Sequence, residues 1–331
     1  MKYYENFIED IQVYNHTHIL SDNIYWCWLR GIDDAPKLYK AAFKSVKKNC
    51  KNHNIIIINN SQNIKNNKSQ KYLSEKNINS KIKYYENFIE DVPTYNHTHI
   101  YNDNIYWCWL QGINNAPKLY KATFKSVKKN CKNHNIIIIN NTNLKEYIRF
   151  PSFIIEKFKK KEFSNTHFSD LLRLELLIKY GGTWIDASVL ITKYNNLFFK
   201  NDLFFFRANK ITSDVGSSWF ITSEKESPVL KTTRDLLYEY WRKENYLCNY
   251  FLFHRLFKFA FMKYIKDYLQ MPYYTNIPVH FLQKYLNKKF NYYIYKNILE
   301  KVNVHKLTKK KKITIKKSFA NYIISSFLNI K

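Results

Sequence analysis

A stretch of 59 residues at positions 2–60, beginning "KYYENFIED" and ending "NHNIIIINN", returns at 83–141 with nine substitutions. Near-identity over two copies is unlike a solenoid, whose units diverge and number three or more. It points to a partial repetition in which one copy is completed by the chain that follows. The second copy runs straight on into further sequence. The first is followed by "SQNIKNNKSQKYLSEKNINS" (61–80), a polar run that reads as a linker.

Each copy has the pattern of a β–α–β unit. In the second, "NIYWCWL" (104–110) is an aromatic strand, and "APKLYKATFKSVKKNC" (116–131) is a helix with Pro117 in its first turn. Leu119, Phe124 and Val127 fall on one side of it. "NIIIIN" (135–140) is the continuous apolar run of a fully buried parallel strand. A helix is predicted over 151–163, and another starts at Ser164, Thr166 or Ser169 and stops at Gly181–Gly182. "TWIDASVLIT" (183–192) reads as one β-branched strand, and amphipathic helices follow in "SPVLKTTRDLLYEYWRK" and "NYFLFHRLFKFAFMKYIKDYL". This alternation predicts an α/β domain with a mainly parallel sheet. The expected layout is a duplicated partial unit at 1–60, a linker at 61–82, one domain at 83–305 and a basic tail at 306–331.

Bulk properties narrow the class. With 45% apolar residues in 331, a packed core is expected rather than disorder. The formal charge of +28 admits nucleic acid, an anionic membrane surface or acidic ligands as partners. Codon bias toward Lys, Asn, Ile and Tyr explains it as well, because the lysines are scattered and only "KLTKKKKITIKK" (306–317) is dense. No nucleic-acid motif accompanies them. Five cysteines without CxxC spacing, an N-terminus without an apolar secretory core and no long apolar run lead to the expectation of a cytoplasmic chain that does not cross a bilayer. The tail could touch the cytoplasmic leaflet as an amphipathic segment, though solvated charge is the simpler expectation.

The chemistry concentrates in "FSDLLRLELLIKYGGTWIDASVL" (168–190). Asp170 and Arg173 are three apart and share a helix face, either as a local pair or as groups aimed into a cleft. Period two puts Trp184, Asp186 and Ser188 on one strand face. A lone Asp in so apolar a strand is costly unless paired or bound to a cation, which favours a place at the strand's carboxyl end, where α/β sheets hold ligands. The "HTH" tripeptides (His16/His18 and His97/His99) lack further ligands at zinc spacing.

"WCWLQGINNAP", "FSDLLRLELLIKYGGTWIDASVL", "SSWFIT", "NYFLFH" and "HKLT", in this order over about residues 83 to 310, resemble the successive motifs of the bacterial capsular polysaccharide synthesis family. These are nucleotide-sugar glycosyltransferases related to the DXD-containing transferases and distantly to the clostridial glucosylating toxins. The resemblance implies a GT-A, Rossmann-like fold with C-terminal helical additions, a UDP-sugar donor, Mn2+ or Mg2+, retention of anomeric configuration and a surface-glycan acceptor. It implies that Asp170 and Arg173 contact the donor sugar and that Asp186 is the first carboxylate of the metal motif. Trp107 or Trp109 would lie against the uracil ring, a role that burial explains equally; Gln111, Gly182 and Trp184 belong to the same expected donor pocket. The departure is Ser188, where distant relatives carry a second Asp. Ser188 itself or His254 would then complete the metal site, a buried histidine being the plainer reading of the latter. Asn249 and Trp219 are weaker candidates for phosphate or acceptor contacts. A glycoside hydrolase would need two facing carboxyl groups, which this segment does not supply. A catalytically degenerate basic binding protein and a toxin-like enzyme that glycosylates host proteins are the other readings.

Overall fold

The computed structural model describes residues 23–27, 54–58, 75–208, 215–308 and 313–329. The chain divides into two units, residues 1–70 and 71–331. In the first, β1 (Asn23–Cys27) and β2 (Asn54–Ile58) pair in parallel with Asn23 opposite Asn54. In the second, β3 (Asn104–Cys108) and β4 (Asn135–Ile139) do the same with Asn104 opposite Asn135. Equivalent sequence therefore gives the same strand pair and register in both copies. The rest of the first copy, with His16 and His18, lies outside the described residues.

The second unit is built on a five-stranded sheet of order β4–β3–β5–β8–β7, where β5 is Gly182–Ile185, β7 Leu203–Arg207 and β8 Gly216–Ser223. Strands β4, β3 and β5 are parallel, whereas β8 runs antiparallel between β5 and β7. The connection from β7 to β8 is too short for a helical crossover, so these strands must be antiparallel. Four of the five strands therefore run the same way, and the sheet is mainly parallel as expected, with β8 alone reversed.

The longer helices of this unit are α1 (Glu75–Phe88), α2 (Lys118–Asn130), α3 (Asn165–Tyr180), α4 (Pro228–Lys243), α5 (Leu252–Lys263) and α6 (Phe319–Leu328). Strand alternation divides their partners. Tyr106 of β3 faces Tyr180 at the end of α3, and the next residue, Trp107, faces Phe124 of α2 with ring centroids 5.0 Å apart. Helices α3, α4 and α5 pack on one another and α3 and α5 reach the sheet, while α2 packs on the other side.

Two expected boundaries move. Residues 75–82, assigned to the linker, begin α1, whose Ile78, Ile82 and Tyr85 are buried in the main core. The segment after 305, assigned to a tail, folds back: Phe319, Ala320 and Ile323 of α6 are buried in a cluster with Ala122 of α2. Basic composition hid an apolar helical face at 319–328. The strand expected over 183–192 also breaks. β5 ends at Ile185, and β6 (Val189–Ile191) leaves the main sheet to pair antiparallel with β9 (Val304–Lys306).

Candidate active site

One end of the sheet collects the chemistry. The parallel strands β3 and β5 both finish there, delivering Trp109–Gln111 and Asp186–Ser188. Because β8 is antiparallel, its beginning, Gly216–Trp219, arrives at the same edge. With the first turns of α3 and the start of α5 these segments line a cleft of about 750 Å³, a volume suited to a nucleotide-sized ligand.

Asp186 sits at the turn between β5 and β6. Its N–H donates to the Trp219 carbonyl (2.9 Å), and its carbonyl accepts from the Val189 N–H (3.0 Å). The carboxylate accepts three N–H groups: the Trp184 indole at 2.8 Å and an Arg173 guanidinium N–H at 3.3 Å on Oδ1, and the Lys306 ammonium at 2.7 Å on Oδ2. The cost of an acid at this apolar edge is thus offset by two cations and an indole. Burial pushes the Asp186 carboxyl up, but Lys306 and Arg173 outweigh it and hold it below the ordinary carboxylate range.

Arg173 bridges the two carboxylates. It is 2% exposed, bonds Asp170 one turn earlier on α3, and lies over the rings of Trp184 (5.3 Å) and Phe253 (5.6 Å). A rigid guanidinium fork suits that double role, which a lysine would not fill. Burial pushes Asp170 above its ordinary value, and Arg173 and His254 pull it back only in part. The two acids are therefore driven in opposite directions, a pattern common at functional sites.

Lys306 is the cleft residue that sequence reasoning missed, having assigned it to a solvated tail. Pairing of β9 with β6 places Lys306 opposite Val189, three residues after Asp186, and the Leu307 N–H donates to the Ser188 carbonyl at 2.8 Å. Burial pulls the ammonium below its ordinary value, and Asp186 works against that. The available signal was a lysine within the apolar stretch "VHKL", inside a motif already singled out.

Of the other expected residues, Trp109, Gln111, Trp184, Ser188, Trp219 and His254 all line the cleft. Trp184 does so through the indole N–H that it gives to Asp186, its ring being 1% exposed. Trp107 lies outside: it is fully buried against α2, because the strand period turns it from the cleft while Trp109 stands beyond the strand's end. Gly182 also lies outside, at the opposite end of β5 from Asp186. Its Cα faces the Asn104 carbonyl, where an added Cβ would come within 2.5 Å. Asn249 makes a local turn, its side chain accepting from the Phe251 N–H at 2.7 Å. His97 and His99 stack on each other and pair with Glu224, Asp267 and Asp202 away from the cleft.

The residues expected to hold a divalent cation do not fit one. Both oxygens of Asp186 are taken by N–H donors, two of them cationic, which repel a metal ion. His254 lies beside Asp170 instead. Among the described residues no group of three or more His, Cys, Asp or Glu side chains is arranged as a metal shell.

Differences between the two copies bear on the site. Thr123 donates its hydroxyl to the Ala187 carbonyl at 2.6 Å, and Tyr101 donates to Asp202. The first copy has Ala42 and Leu20 at these positions and lacks both hydroxyls. The second copy carries the substitutions that fasten the Asp186 turn and the strands behind it.

The sequence matches the capsular polysaccharide synthesis protein family over residues 1–66 and again over 60–326. The chain belongs to that family. No curated protein matches it. Among solved structures this family member is similar to the PaToxG glycosyltransferase, at 19% identity over 58% of this chain and 76% of that one, with a TM-score of 0.37. It is also similar to the apo-form glycosyltransferase GlyE of Streptococcus pneumoniae TIGR4, at 11% identity over 70% and 61% of the two chains, with a TM-score of 0.40. The family was legible from the ordered motifs; the α/β sheet that carries them is as expected apart from the antiparallel β8.

Proposed function

We propose that the protein is a glycosyltransferase of GT-A type that moves a sugar from a nucleotide-sugar, a UDP-sugar in the first instance, to a growing surface glycan. Family membership supports the class. The observation that carries the reading is the cluster Asp170–Arg173–Asp186–Lys306 at the carboxyl ends of β3 and β5, where sheets of this kind hold nucleotides.

In this reading the base lies toward Trp109 at the end of β3, and the donor sugar is held by Asp170 and Arg173. The diphosphate then falls near the cationic side of the cluster. Fixed donors aimed at the leaving diphosphate stabilise charge as it develops without reorganising during reaction. The acceptor enters past Trp219 and His280, and transfer proceeds with retention at the anomeric carbon. The work is placed at the cytoplasmic face of a membrane, where the +28 charge would favour anionic lipid. Among the described residues no helix is long and apolar enough to cross a membrane.

The test is nucleotide release from a panel of UDP-, GDP- and CMP-sugars in the presence of oligosaccharide acceptors. One donor should be consumed, and NMR of the product should show the donor's anomeric configuration. Consumption of none would sink the reading.

A further inference from the structure

We infer that Lys306 occupies the place of the divalent cation, so that the donor's diphosphate is bound and released on this ammonium and on Arg173 without a metal ion. The inference rests on the nucleotide-sugar reading above.

The geometry is specific. Asp186 stands at the end of the strand that leads into the cleft, where a carboxylate would anchor a cation, and a cation is already anchored there: the Lys306 Nζ, 2.7 Å from Oδ2. An ammonium has three N–H donors. Asp186 takes one, and the side chain is 18% exposed and lines the cleft, so the remaining donors can meet ligand oxygens. The position is built rather than incidental. Pairing of β9 with β6 fixes the backbone, Leu307 ties it to Ser188, and the ammonium lies 5.7 Å over the Trp219 ring.

Two further sources of positive potential face the same space. Arg173 is held on the other oxygen of Asp186, and the first turn of α3, a helix of 16 residues, presents Asn165 and Thr166 to the cleft. The aligned peptide dipoles there favour anionic groups. Position 188 carries no second acid; with Ser188 there, one carboxylate orients one lysine instead. In the bond-breaking step the anomeric carbon–oxygen bond cleaves and its electron pair stays with the diphosphate, whose added charge Lys306 and Arg173 stabilise, while the acceptor hydroxyl oxygen bonds to the anomeric carbon and its proton passes to the departing diphosphate oxygen.

The test is calorimetric titration of the full-length protein with UDP, GDP and CDP, each in EDTA and again in Mn2+. The expected result is binding of one nucleotide in EDTA with an affinity within about threefold of that in Mn2+, under half a decade and so a small difference on the free-energy scale. Lys306→Met should weaken it by about 10- to 100-fold, as loss of a charge-assisted hydrogen bond does, and Lys306→Arg should retain most of it. Thermal melting of each variant distinguishes lost binding from lost fold, and the wild-type comparison needs no variant. Binding that requires Mn2+ overturns this inference while leaving the donor assignment intact. Binding of no nucleotide in either buffer overturns the donor assignment and this inference with it. Unchanged affinity in a folded Lys306→Met also overturns it.

Discussion

Gly182→Ala is expected to unfold the protein more readily without touching the donor site, and Gly112→Ala supplies its control. Gly182 has φ +97°, and a Cβ there would meet the Asn104 carbonyl oxygen at 2.5 Å and Asn102 Oδ1 at 2.6 Å. Gly112 has φ +81°, and a Cβ there would meet nothing within 4 Å. Both variants carry the backbone cost of a side chain at positive φ, about 1–3 kcal/mol. Gly182→Ala adds the collision, because the atoms it meets belong to β3 and its approach and cannot swing away, for about a further 2 kcal/mol. At about 2–4 °C per kcal/mol for a unit of this size, it should melt about 4–8 °C below Gly112→Ala. Differential scanning calorimetry reads the difference, and nucleotide titration at low temperature reads the site. Equal melting of the two would refute the close approach of β5 to β3. Lost nucleotide binding in a Gly182→Ala protein that melts normally would return Gly182 to the donor pocket.

Other consequences follow from the same contacts. Burial pulls the His97 imidazole down, but Glu224 and Asp267 outweigh it and leave it above its ordinary value. The stability it adds is therefore full below the unfolded pKa of about 6.5 and is lost as pH rises through the folded value. Urea midpoints should fall between pH 6 and 8, and His97→Gln should remove that slope; an unchanged slope would contradict it. Trp107→Ala should cost about 3–5 kcal/mol as a buried large-to-small change, whereas Trp109→Ala should weaken nucleotide binding with little change in melting, both read on the same samples. Deleting residues 1–70 should leave transfer intact, because the second unit starts at 71 and α1 supplies core from Ile78 onward. Truncation after 312 should abolish cooperative unfolding by circular dichroism, because it removes Phe319, Ala320 and Ile323 from the cluster on α2.

The sequence was most informative where chemistry and local period agree. Asp186 was legible at the carboxyl end of a strand, because an unpaired acid in "TWIDASVL" is too costly elsewhere. Asp170 and Arg173 were legible as one helix face. The parallel pair of β3 and β4 followed from "NIIII" and the helix between them. What escaped depended on distant partners. The strand breaks at 186–188 because Val189–Ile191 finds β9 more than a hundred residues later, and no local period reports that. Lys306 escaped for the same reason, its neighbours "KKKK" suggesting solvent while its partner is Asp186. Trp107 and Trp109, two apart, share a strand face only while the strand lasts; it ends at Cys108, so one is core and the other lines the cleft.

The most direct test of the account is turnover of a nucleotide-sugar by the wild type against Asp186→Asn. The amide keeps the shape but loses the charge that holds Lys306 and Arg173 in place. Nucleotide release should fall by about 10²-fold or more, as loss of a preorganised electrostatic group does, with the variant still folded. Equal turnover in the two proteins would contradict the central role given to Asp186.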